Sequence, residues 1–527
     1  MPEWFWKWQA NIIFYINIRA AMTKIIDSIA EQYPQISGLT AFSGANTTTP
    51  YLADQELKYQ RKICESIEDA IKKVGLKDGM TVGFHHAFRE GDKIINLVVG
   101  ILAKMGFKNM TLASSSLLSC NDYLIEHIKS GVITQIYTSG MRGKLADAIS
   151  HGLMDNPVHI HSHGGRVKLI QDGVINLDVS FLAVSTADEF GNANSVTGKS
   201  RCGSLGYAMV DAQYAKKVVL LAEEIVAYPN HPASIRQDQV DYIVKVDQVG
   251  DPTKISVGAV RITSNPRELM IARYAAQVIE HSGYFEDGFS IQTGSGAAAT
   301  ACTRFLEDKM RAKNITAGFA LGGITQSIVD LHQKGLIKVL LDTQSFDNAA
   351  GISLGENPNH VEISTNYYAN PAAKAAACDH LDIVILSALE IDLNFNVNVL
   401  TGSDGVMRGA SGGHCDTAAG ANLSIIVAPL IRSRIPTVIS KVTTIVTPGE
   451  SIDVLVTDHG IAVNPNRPEI AQRLKDAGLP ILTIEELYKR AIDLTTEPEP
   501  IKFKDKIVGI VHYRDGSIID VVREVQD

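Results

Sequence analysis

An internal repeat is the feature of this 527-residue sequence that most constrains its fold. The segment DEFGNANSVTG (188–198) matches DLNFNVNVLTG (392–402) at Asp, Asn, Asn, Thr and Gly, 204 positions later. Shorter matches follow in the same order at separations of 204–209: DGMTV with DGFSI, KNMT with KNIT, GVI with GLI, and Asp211 with Asp416. Five ordered matches are not easily chance, so the sequence predicts two copies of one folding unit.

Each copy alternates strand-length apolar runs with helical stretches. TVGFHH, MTLAS, VSFLAVS and KVVLLA have the length of strands, whereas KIINLVVGILAKMG and ARYAAQVIEHSG have that of helices. This alternation predicts an α/β fold of two tandem, duplicated domains, each a mostly parallel sheet flanked by helices, with the active-site cleft between them. The predicted limits are an N-terminal extension (1–40), a first domain (41–228), a linker (229–264) and a second domain with a C-terminal tail (265–527).

Charge and cysteine content narrow the class of function. The net charge is −9 and the pI is near 5.9, which argues against nucleic acid as a partner. An anionic substrate is still allowed, because local arginines can outweigh the net charge. The six cysteines are scattered and form no C-x-x-C pair, so we expect free thiols in a reducing cytoplasm.

The N-terminal stretch MPEWFWKWQANIIFYINIRAAM holds all three tryptophans of the chain. Polar and charged residues interrupt it, so it lacks the roughly 18 uncharged apolar residues of a membrane-spanning helix. It also lacks the basic segment ahead of an apolar run that marks a signal peptide. Two interpretations stay open, an interfacial amphipathic helix and an extension ahead of a start at Met22. We favour the second and expect no membrane partner.

A glycine loop in the second copy joins a predicted strand to a predicted helix. FSIQTGSGAAATACTRF turns through Gly294, Ser295 and Gly296, where backbone amides and a helix N-terminus could receive an anion or an acyl group. The spacing approximates a dinucleotide fingerprint, but the next strand, NITAGFALGG, ends without the acidic residue that would hold a ribose. An anionic or acyl ligand is therefore favoured, with a simple tight turn as the alternative.

Histidines and arginines cluster in loops that follow predicted strands. In GFHHAFREGDK, His85, His86 and Arg89 form either a carboxylate clamp or the solvated first turn of a helix. Arginine can bind a carboxylate through two parallel hydrogen bonds, so arginines beside glycines suit a small polyanionic substrate. The other arginines in such loops are Arg142, Arg201 and Arg408.

The segment VHIHSHGGRVKL spaces three histidines two residues apart. On one strand, His159, His161 and His163 would share a face and could hold zinc. No cysteine or carboxylate lies close by in sequence to complete such a site, so we expect no metal.

Ten stretches carry a resemblance to a known family. They are GFHHAFREGDK, LASSSL, IHSHGGRVKLIQ, DEFGNAN, GKSRCGSLGYA, TSNPREL, GLIKVLLDTQSFD, SALEIDLNFNVNVLTGS, RGASGGHCDTAAGA and VTDHGIAVNP. With the duplication, they resemble the CoA-transferase superfamily and, within it, the α subunits of citrate lyases, over nearly the whole chain after about residue 40.

The resemblance implies a reaction and its partners. Citrate would displace acetate from an acetyl thioester on an acyl carrier protein, giving citryl thioester and acetate. A β subunit would then cleave the citryl thioester to oxaloacetate and acetyl thioester. The carrier would be a γ subunit with a CoA-derived prosthetic group, and CoA thioesters would substitute for it. We expect a homo-oligomer within a cytoplasmic complex and no cofactor bound by this chain. The alternatives are the α subunit of a citramalate-type lyase and an acyl-CoA hydrolase.

One departure from the superfamily bears on mechanism. Many CoA transferases carry a glutamate that forms a glutamyl thioester, and the corresponding place here, LLDTQSFDN, offers Gln344 or Ser345. An amide cannot serve as that nucleophile. The resemblance therefore implies direct attack of a citrate carboxylate on the thioester, through a ternary complex and a mixed anhydride.

The glycine-rich segment 401–421 is expected to contact the thioester carbonyl. Its glycines tolerate positive φ and can expose several amides in a row for an oxyanion. Cys415 is expected to be a small residue in a tight loop, since adjacent Cys and His rarely face each other productively. The expected roles are catalysis for Gly409, Gly412, Gly413 and Gln344; substrate binding for His85, His86, Arg89, Arg142, Arg201, Arg408 and Glu390; and thioester binding for Gly294, Ser295, Gly296, Ser411, His414 and Asp416.

Overall fold

A computed structural model describes most of the chain, in two compact units that are treated separately. The first unit ends at Arg61 and contains helix α1 (23–32); the second spans Lys62–Asp527. The N-terminal segment, for which two interpretations were open, lies outside the described residues. No described helix is long and apolar enough to cross a membrane. The described residues are 23–35, 38–39, 62–255, 263–294 and 296–526.

Two large sheets form the second unit. The strands are β1 (Ile63–Cys64), β2 (Thr81–Phe84), β3 (Met110–Ser114), β4 (Ile133–Thr138), β5 (Val158–Ile160), β6 (Val179–Asp188), β7 (Ala193–Asn194), β8 (Lys217–Val226), β9 (Tyr242–Lys245), β10 (Ser290–Thr293), β11 (Ala317–Ile324), β12 (Ile337–Ser345), β13 (His360–Glu362), β14 (Ile383–Ser387), β15 (Glu390–Asp392), β16 (Val397–Asn398), β17 (Leu423–Val427), β18 (Ile431–Arg432), β19 (Ile435–Pro436), β20 (Val438–Ile439), β21 (Val454–Thr457), β22 (Gly460–Val463), β23 (Ile481–Leu482), β24 (Phe503–His512) and β25 (Ile518–Val525).

Helices cover both sheets. They are α2 (Ile67–Lys73), α3 (Ile94–Lys104), α4 (Leu124–Lys129), α5 (Gly143–Ser150), α6 (His163–Gln171), α7 (Gly206–Tyr214), α8 (Pro252–Ile255), α9 (Pro266–His281), α10 (Ala297–Lys313), α11 (Gln326–Gln333), α12 (Asn348–Glu356), α13 (Thr365–Ala369), α14 (His414–Gly420), α15 (Pro468–Asp476) and α16 (Ile484–Leu494).

The two sheets share one topology, which confirms the predicted α/β class with mostly parallel, helix-flanked sheets. Part of the first sheet runs β9-β8-β6-β2-β3-β4-β5, and the second runs β21-β17-β14-β10-β11-β12-β13 over the equivalent strands. Every neighbouring pair in these two series is parallel. Strand β6 is buried along its whole length, as expected for a central strand covered on both faces.

The motif that reveals the repeat builds the same turn in both copies. Asp188 accepts hydrogen bonds from three backbone N–H groups of the turn that follows it, and Asp392 from two. The side-chain oxygens of Asn194 and Asn398 each accept from the amides two and three residues later. Asp and Asn favour such local bonds, so this part of the repeat serves turn formation.

The C-terminal hairpin belongs to the first sheet. Strand β24 pairs in parallel with β5, and β25 pairs antiparallel with β24 at the sheet edge. The sequence assigned this tail to the second domain, because nothing local in residues 503–525 reports a partner strand about 340 positions earlier. The other predicted domain limits stay predictions.

Candidate active site

A cavity of about 620 Å³ lies between the two sheets. Its walls come from the ends of parallel strands of both copies: residues after β2, β3, β4 and β5 on one side, and residues at the ends of β10, β12, β14 and β17 on the other. Carboxyl ends of parallel strands are where ligands bind in such sheets. The cleft expected between the copies is therefore present.

The first-copy wall carries a cluster of neutral aromatic groups. His86 and His163 lie with ring centroids 5.9 Å apart, and Tyr207 is 4.8 Å from each ring. The Nδ1 atom of His86 is 2.6 Å from the hydroxyl of Ser115. Burial lowers the pKa of His86 well below its usual value and that of His163 to about 3, so both imidazoles are uncharged at neutral pH.

Arg89 is half-buried beside the cavity, and its Nε atom is buried without a hydrogen-bond partner among the described residues. Its guanidinium lies 4.3 Å from the ring centroid of Phe346, and among the described residues no carboxylate lies within ion-pair distance. Burial lowers its pKa to about 10. Its φ of 53° is uncommon outside glycine. Arg89 begins a short 3-10 turn at 89–91, so it does not stand at the N-terminus of an α-helix.

The second-copy glycine loop crosses the cleft and pairs with the first copy. Ser411 N–H donates to Ser139 O at 2.7 Å, and Gly412 O accepts from His163 N–H at 2.8 Å. The amides of Gly412 and Gly413 donate no hydrogen bond within the described residues. Both glycines line the cavity, so two backbone donors are available there.

Gly409 lines the cavity but cannot supply a donor as predicted. Its N–H donates to Leu400 O at 3.0 Å, and a Cβ here would lie 2.0 Å from Val399 O. A glycine is required here because the backbone of Val399 approaches closely, and not because its amide is free. The predicted donor series therefore shortens to Gly412 and Gly413.

Buried polar groups without partners concentrate at the cavity. Sixteen buried side-chain N or O atoms of the described residues lack a hydrogen bond, and six belong to residues that line this cavity. Such groups are costly unless something pairs with them. The six residues are Arg89, Ser139, His163, Thr343, Gln344 and Arg432.

The charge of the lining is positive although the chain is acidic. Among the described residues, Glu268 is the lone carboxylate of the lining, against Arg89, Arg142 and Arg432. Burial lowers the pKa of Arg432. The lining therefore favours an anionic ligand rich in oxygen acceptors.

Most predicted site residues line the cavity. The structure brings together His86, Arg89, Arg142, Gly294, Gly296, Gln344, Gly409, Ser411, Gly412, Gly413 and His414. The strand predicted before Gly294 is β10, and the helix predicted after it is α10, with Gly296 as its N-cap. Ser295 lies outside the described residues.

Five predicted residues do not line the cavity. His85 is buried, with Nε2 2.9 Å from Ala183 O, and Glu390 accepts hydrogen bonds from Asn398 and Thr443 within its own copy. Arg408 is paired with Asp404 on the surface, and Arg201 is also exposed. The fifth, Asp416, is wholly buried and accepts hydrogen bonds from the first copy.

Neither cysteine chemistry nor a metal is supported by the local geometry. Burial raises the pKa of Cys415 to about 12, which keeps it a thiol, and His414 is held by Thr447 Oγ1 at 2.7 Å and Ser387 O at 3.0 Å. Of the three spaced histidines, only His159 lies in strand β5, while His163 begins α6. The three histidines therefore do not share one strand face.

A serine–histidine–aspartate row exists away from the cavity. Ser353, in the G-x-S-x-G match 351–355, lies 3.0 Å from His360 Nδ1, and His360 Nε2 lies 3.1 Å from Asp342. All three are buried and none lines the cavity. A nucleophile needs access to substrate, so this row ties α12 to β12 and β13.

The lining residues that sequence reasoning did not single out include Tyr207, Tyr368 and Arg432. The signal for Tyr207 and Tyr368 was weak because each stands in a helix that reaches the cavity only through packing of the two copies. Tyr368 exchanges hydrogen bonds with Gln292. Arg432 lies in the two-residue strand β18, with no glycine neighbour to mark it.

Comparisons with known proteins agree on one family. A profile described as citrate lyase, alpha subunit (CitF), matches residues 60–525. The citrate lyase alpha chain of Klebsiella pneumoniae is 64% identical over 506 residues, covering 96% of this chain and 100% of that protein. The citrate lyase alpha chain of Escherichia coli (strain K12) is 64% identical over 467 residues, covering 89% and 92%.

Solved structures give the same result. A Streptococcus mutans crystal structure, named as the alpha subunit of citrate lyase in complex with citrate, superposes with a TM-score of 0.88 at 50% identity, covering 94% of this chain and 98% of that chain. The alpha subunit of a malonate decarboxylase from Acinetobacter baumannii superposes with a TM-score of 0.62 at 15% identity, covering 84% and 94%. The second similarity concerns the fold alone.

Proposed function

The chain belongs to the citrate lyase alpha subunit family, and we propose that it transfers an acyl-carrier thiol, or CoA, from an acetyl thioester to citrate. The products are citryl thioester and acetate. The observation that carries the proposal is the group of unpartnered buried donors, led by Arg89 and Gln344, around a cavity with one described carboxylate. A tricarboxylate supplies the acceptors these donors lack. The Streptococcus mutans relative is named as a complex with citrate.

The proposed reaction balances without a proton donor. A citrate carboxylate oxygen attacks the thioester carbonyl carbon and the C–S bond breaks. The thiolate departs as the leaving group, and the product of this step is a citric–acetic anhydride. The thiolate then attacks the citryl carbonyl of the anhydride, the C–O bond breaks, and acetate leaves. The low pKa values of His86 and His163 fit this scheme, because neutral imidazoles can orient oxygens without transferring protons.

Gln344 supports direct attack by citrate. It is the penultimate residue of β12 at the cleft, its side chain is buried, and its Nε2 atom has no partner in the described chain. An amide can donate to a carboxylate but cannot form an acyl-enzyme as a glutamate does. The step then depends on holding citrate and thioester together, and such positioning can contribute about 7–11 kcal/mol.

The amides of Gly412 and Gly413 are the proposed donors to the tetrahedral oxyanion. Both line the cavity and neither is used in the fold. Losing one such donor typically costs about 3–4 kcal/mol. Gly294, Gly296, Ser411 and His414 share the lining and are proposed to flank the thioester arm.

The proposed partners follow the family. A β subunit would consume the citryl thioester, and a γ subunit would carry the thioester on a CoA-derived group. We place the chain in a cytoplasmic complex as a homo-oligomer, with no metal, nucleic acid or membrane partner. Citramalate lyase and hydrolase activities are the alternatives to test.

The test incubates the purified chain with acetyl-CoA and citrate and follows citryl-CoA and acetate. We expect both products in equal amounts, no acetate without citrate, and no protein adduct after borohydride or hydroxylamine. An adduct would contradict the ternary complex, citrate-independent acetate would indicate a hydrolase, and preference for citramalate would change the substrate. Gln344→Ala should weaken citrate binding, while Cys415→Ser should retain activity.

A further inference from the structure

Asp416 occupies a junction between the two copies next to the cavity. It is the third residue of α14, directly after the loop that carries Gly412 and Gly413. Its side chain is fully buried. Asp416 does not line the cavity, so any effect on the reaction must pass through other groups.

The hydrogen bonds of Asp416 end on the first copy. Oδ1 accepts from Ser162 Oγ at 2.7 Å, and Oδ2 accepts from Gly164 N–H at 2.9 Å. Ser162 Oγ in turn accepts from Gly165 N–H at 2.9 Å and caps α6. One carboxylate therefore grips the first turn of α6 from both sides of His163.

His163 closes the loop back to the glycines. Its backbone N–H donates to Gly412 O at 2.8 Å, and its side chain lines the cavity. The contacts thus form a closed ring of covalent and hydrogen bonds. It runs from the glycine amides along α14 to Asp416, across the hydrogen bond to Ser162, along the chain to His163, and back through a hydrogen bond to Gly412. Such a ring fixes the relative position of two groups better than either contact alone.

Asp416 lacks the close cation that its counterpart in the first copy has. Asp211 forms two hydrogen bonds with buried Arg166, whereas the Nε of Arg514, at the tip of the C-terminal hairpin, is 3.9 Å from Asp416 Oδ1. A buried carboxylate with a distant cation is unfavourable for stability alone. What Asp416 does provide is the pair of hydrogen bonds that it accepts from Ser162 and Gly164 across the cleft.

We propose that Asp416 is a positioning residue that holds the Gly412–Gly413 amides and the His163 imidazole in one arrangement across the cleft. The inference rests on the proposed transfer to citrate. Citrate itself would not touch Asp416. Removal of its carboxylate should therefore lower turnover while citrate still binds.

The experiment uses the full chain as wild type, Asp416→Ala, Asp416→Asn, Ser162→Ala, Cys415→Ser and the double variant Ser162→Ala/Asp416→Ala. Steady-state rates with acetyl-CoA and citrate give kcat and KM, calorimetry gives the citrate Kd, and melting reports folding. Cys415→Ser is the matched control, since it is the buried neighbour of Asp416 with a 4.0 Å contact to Ser411 of its own loop. Asp416→Asn is the conservative variant, because its oxygen can accept from Gly164 and its amide can donate to Ser162.

We expect Asp416→Ala to lower kcat about 100-fold, as a misplacement near 1 Å can do, with citrate Kd within about threefold of wild type. Asp416→Asn should recover to within about tenfold, and Cys415→Ser should match wild type. Ser162→Ala should lower kcat, and in the Asp416→Ala background it should add little, since both remove the same link.

Three results would overturn the inference. They are wild-type turnover in Asp416→Ala, additive effects of Ser162→Ala and Asp416→Ala, and loss of citrate binding in step with melting temperature across the variants. If Asp416→Ala does not fold, Ser162→Ala decides, and wild-type turnover in that variant would overturn the inference. A wild-type chain that forms no citryl-CoA would instead refute the proposed function, and the inference with it.

Discussion

The two crossover loops of the repeat have the same position but different hydrogen bonding. The first-copy loop (198–205) packs on the second sheet, where Ser204 bonds with Ser345 and Asp342 and the Leu205 amide donates to Glu362. The second-copy loop (402–413) packs on the first sheet but leaves the amides of Gly412 and Gly413, which line the cavity, unused. Duplication thus supplies two equivalent crossings, and only the second keeps free donors at the cavity.

The aspartates that follow these loops, Asp211 and Asp416, also differ in their hydrogen-bond partners. Asp211 is neutralised by Arg166 inside its own copy, and Asp416 binds the backbone and serine of the other copy. One carboxylate serves stability within a copy, and the other joins the copies. The topological symmetry therefore conceals a division of roles.

The largest expected effect tests this division by removing each aspartate. Asp211→Asn leaves Arg166 buried with no carboxylate, and breaking such a pair costs about 3–5 kcal/mol. Asp416→Asn leaves no stranded cation and should cost no more than about 1 kcal/mol. Denaturant titration at neutral pH measures both. Equal losses would mean that the aspartates are equivalent.

A second effect comes from pH. Burial raises the pKa of Asp416 to about 6, against about 3.9 in the unfolded chain. The folded state binds this proton more tightly, so the unfolding free energy should fall by about 3 kcal/mol as pH rises from about 4 to 6, and stay level above.

Asp416→Asn lacks this titration and is the control for it. The difference in unfolding free energy between wild type and variant should follow a single titration centred in that window. A pH-independent difference would show that Asp416 is ionised throughout and that the burial argument is wrong.

A third effect compares one glycine from each loop. Gly203 has a φ of +82° and a Cβ there would lie 2.1 Å from Ser345 Oγ, whereas Gly412 has a φ of +55° with His163 Nε2 no closer than 3.6 Å. Strain and overpacking should make Gly203→Ala cost about 2–3 kcal/mol, and strain alone about 1 kcal/mol for Gly412→Ala. Melting temperatures test the order, and the reverse order would mean that the first loop is the looser one.

The smallest effect concerns the exposed arginines of the same loops. Arg201→Ala and Arg408→Ala should each change the unfolding free energy by less than about 0.5 kcal/mol, since both side chains are exposed and surface ion pairs contribute little. Citrate affinity, measured by calorimetry, should be unchanged in both. A clear loss would restore these arginines as substrate ligands.

Periodicity and repetition carried the prediction of the fold further than that of the site. The match between Asp188 and Asp392 located equivalent turns, and the strand–glycine–helix pattern around Gly294 was found as predicted. Both depend on local bonds, which neighbouring residues determine. Arg432 and Tyr207 depend on packing between copies, which no local pattern reports.

Some residues were assigned to the site because of their chemistry alone. The sequence does not show whether such a group is exposed, or already paired with another residue. Arg408 and Glu390 had suitable chemistry, but one found a partner four residues away on the surface and the other closed a network inside its own copy. Gly409 had suitable conformational freedom, but its amide was already committed. In each case a nearer partner satisfied the group before a ligand could.

The placement of β24 has a consequence for the order of synthesis. Residues 503–512 pair with β5, so about 340 residues emerge from the ribosome between these neighbouring strands. At about 5–20 residues per second, the edge of β5 stays open for roughly 20–70 seconds while the second copy is made. The first sheet to begin is thus the last to be completed, and during translation its unpaired edge is the place where a nascent chain of this protein is most exposed to association with another.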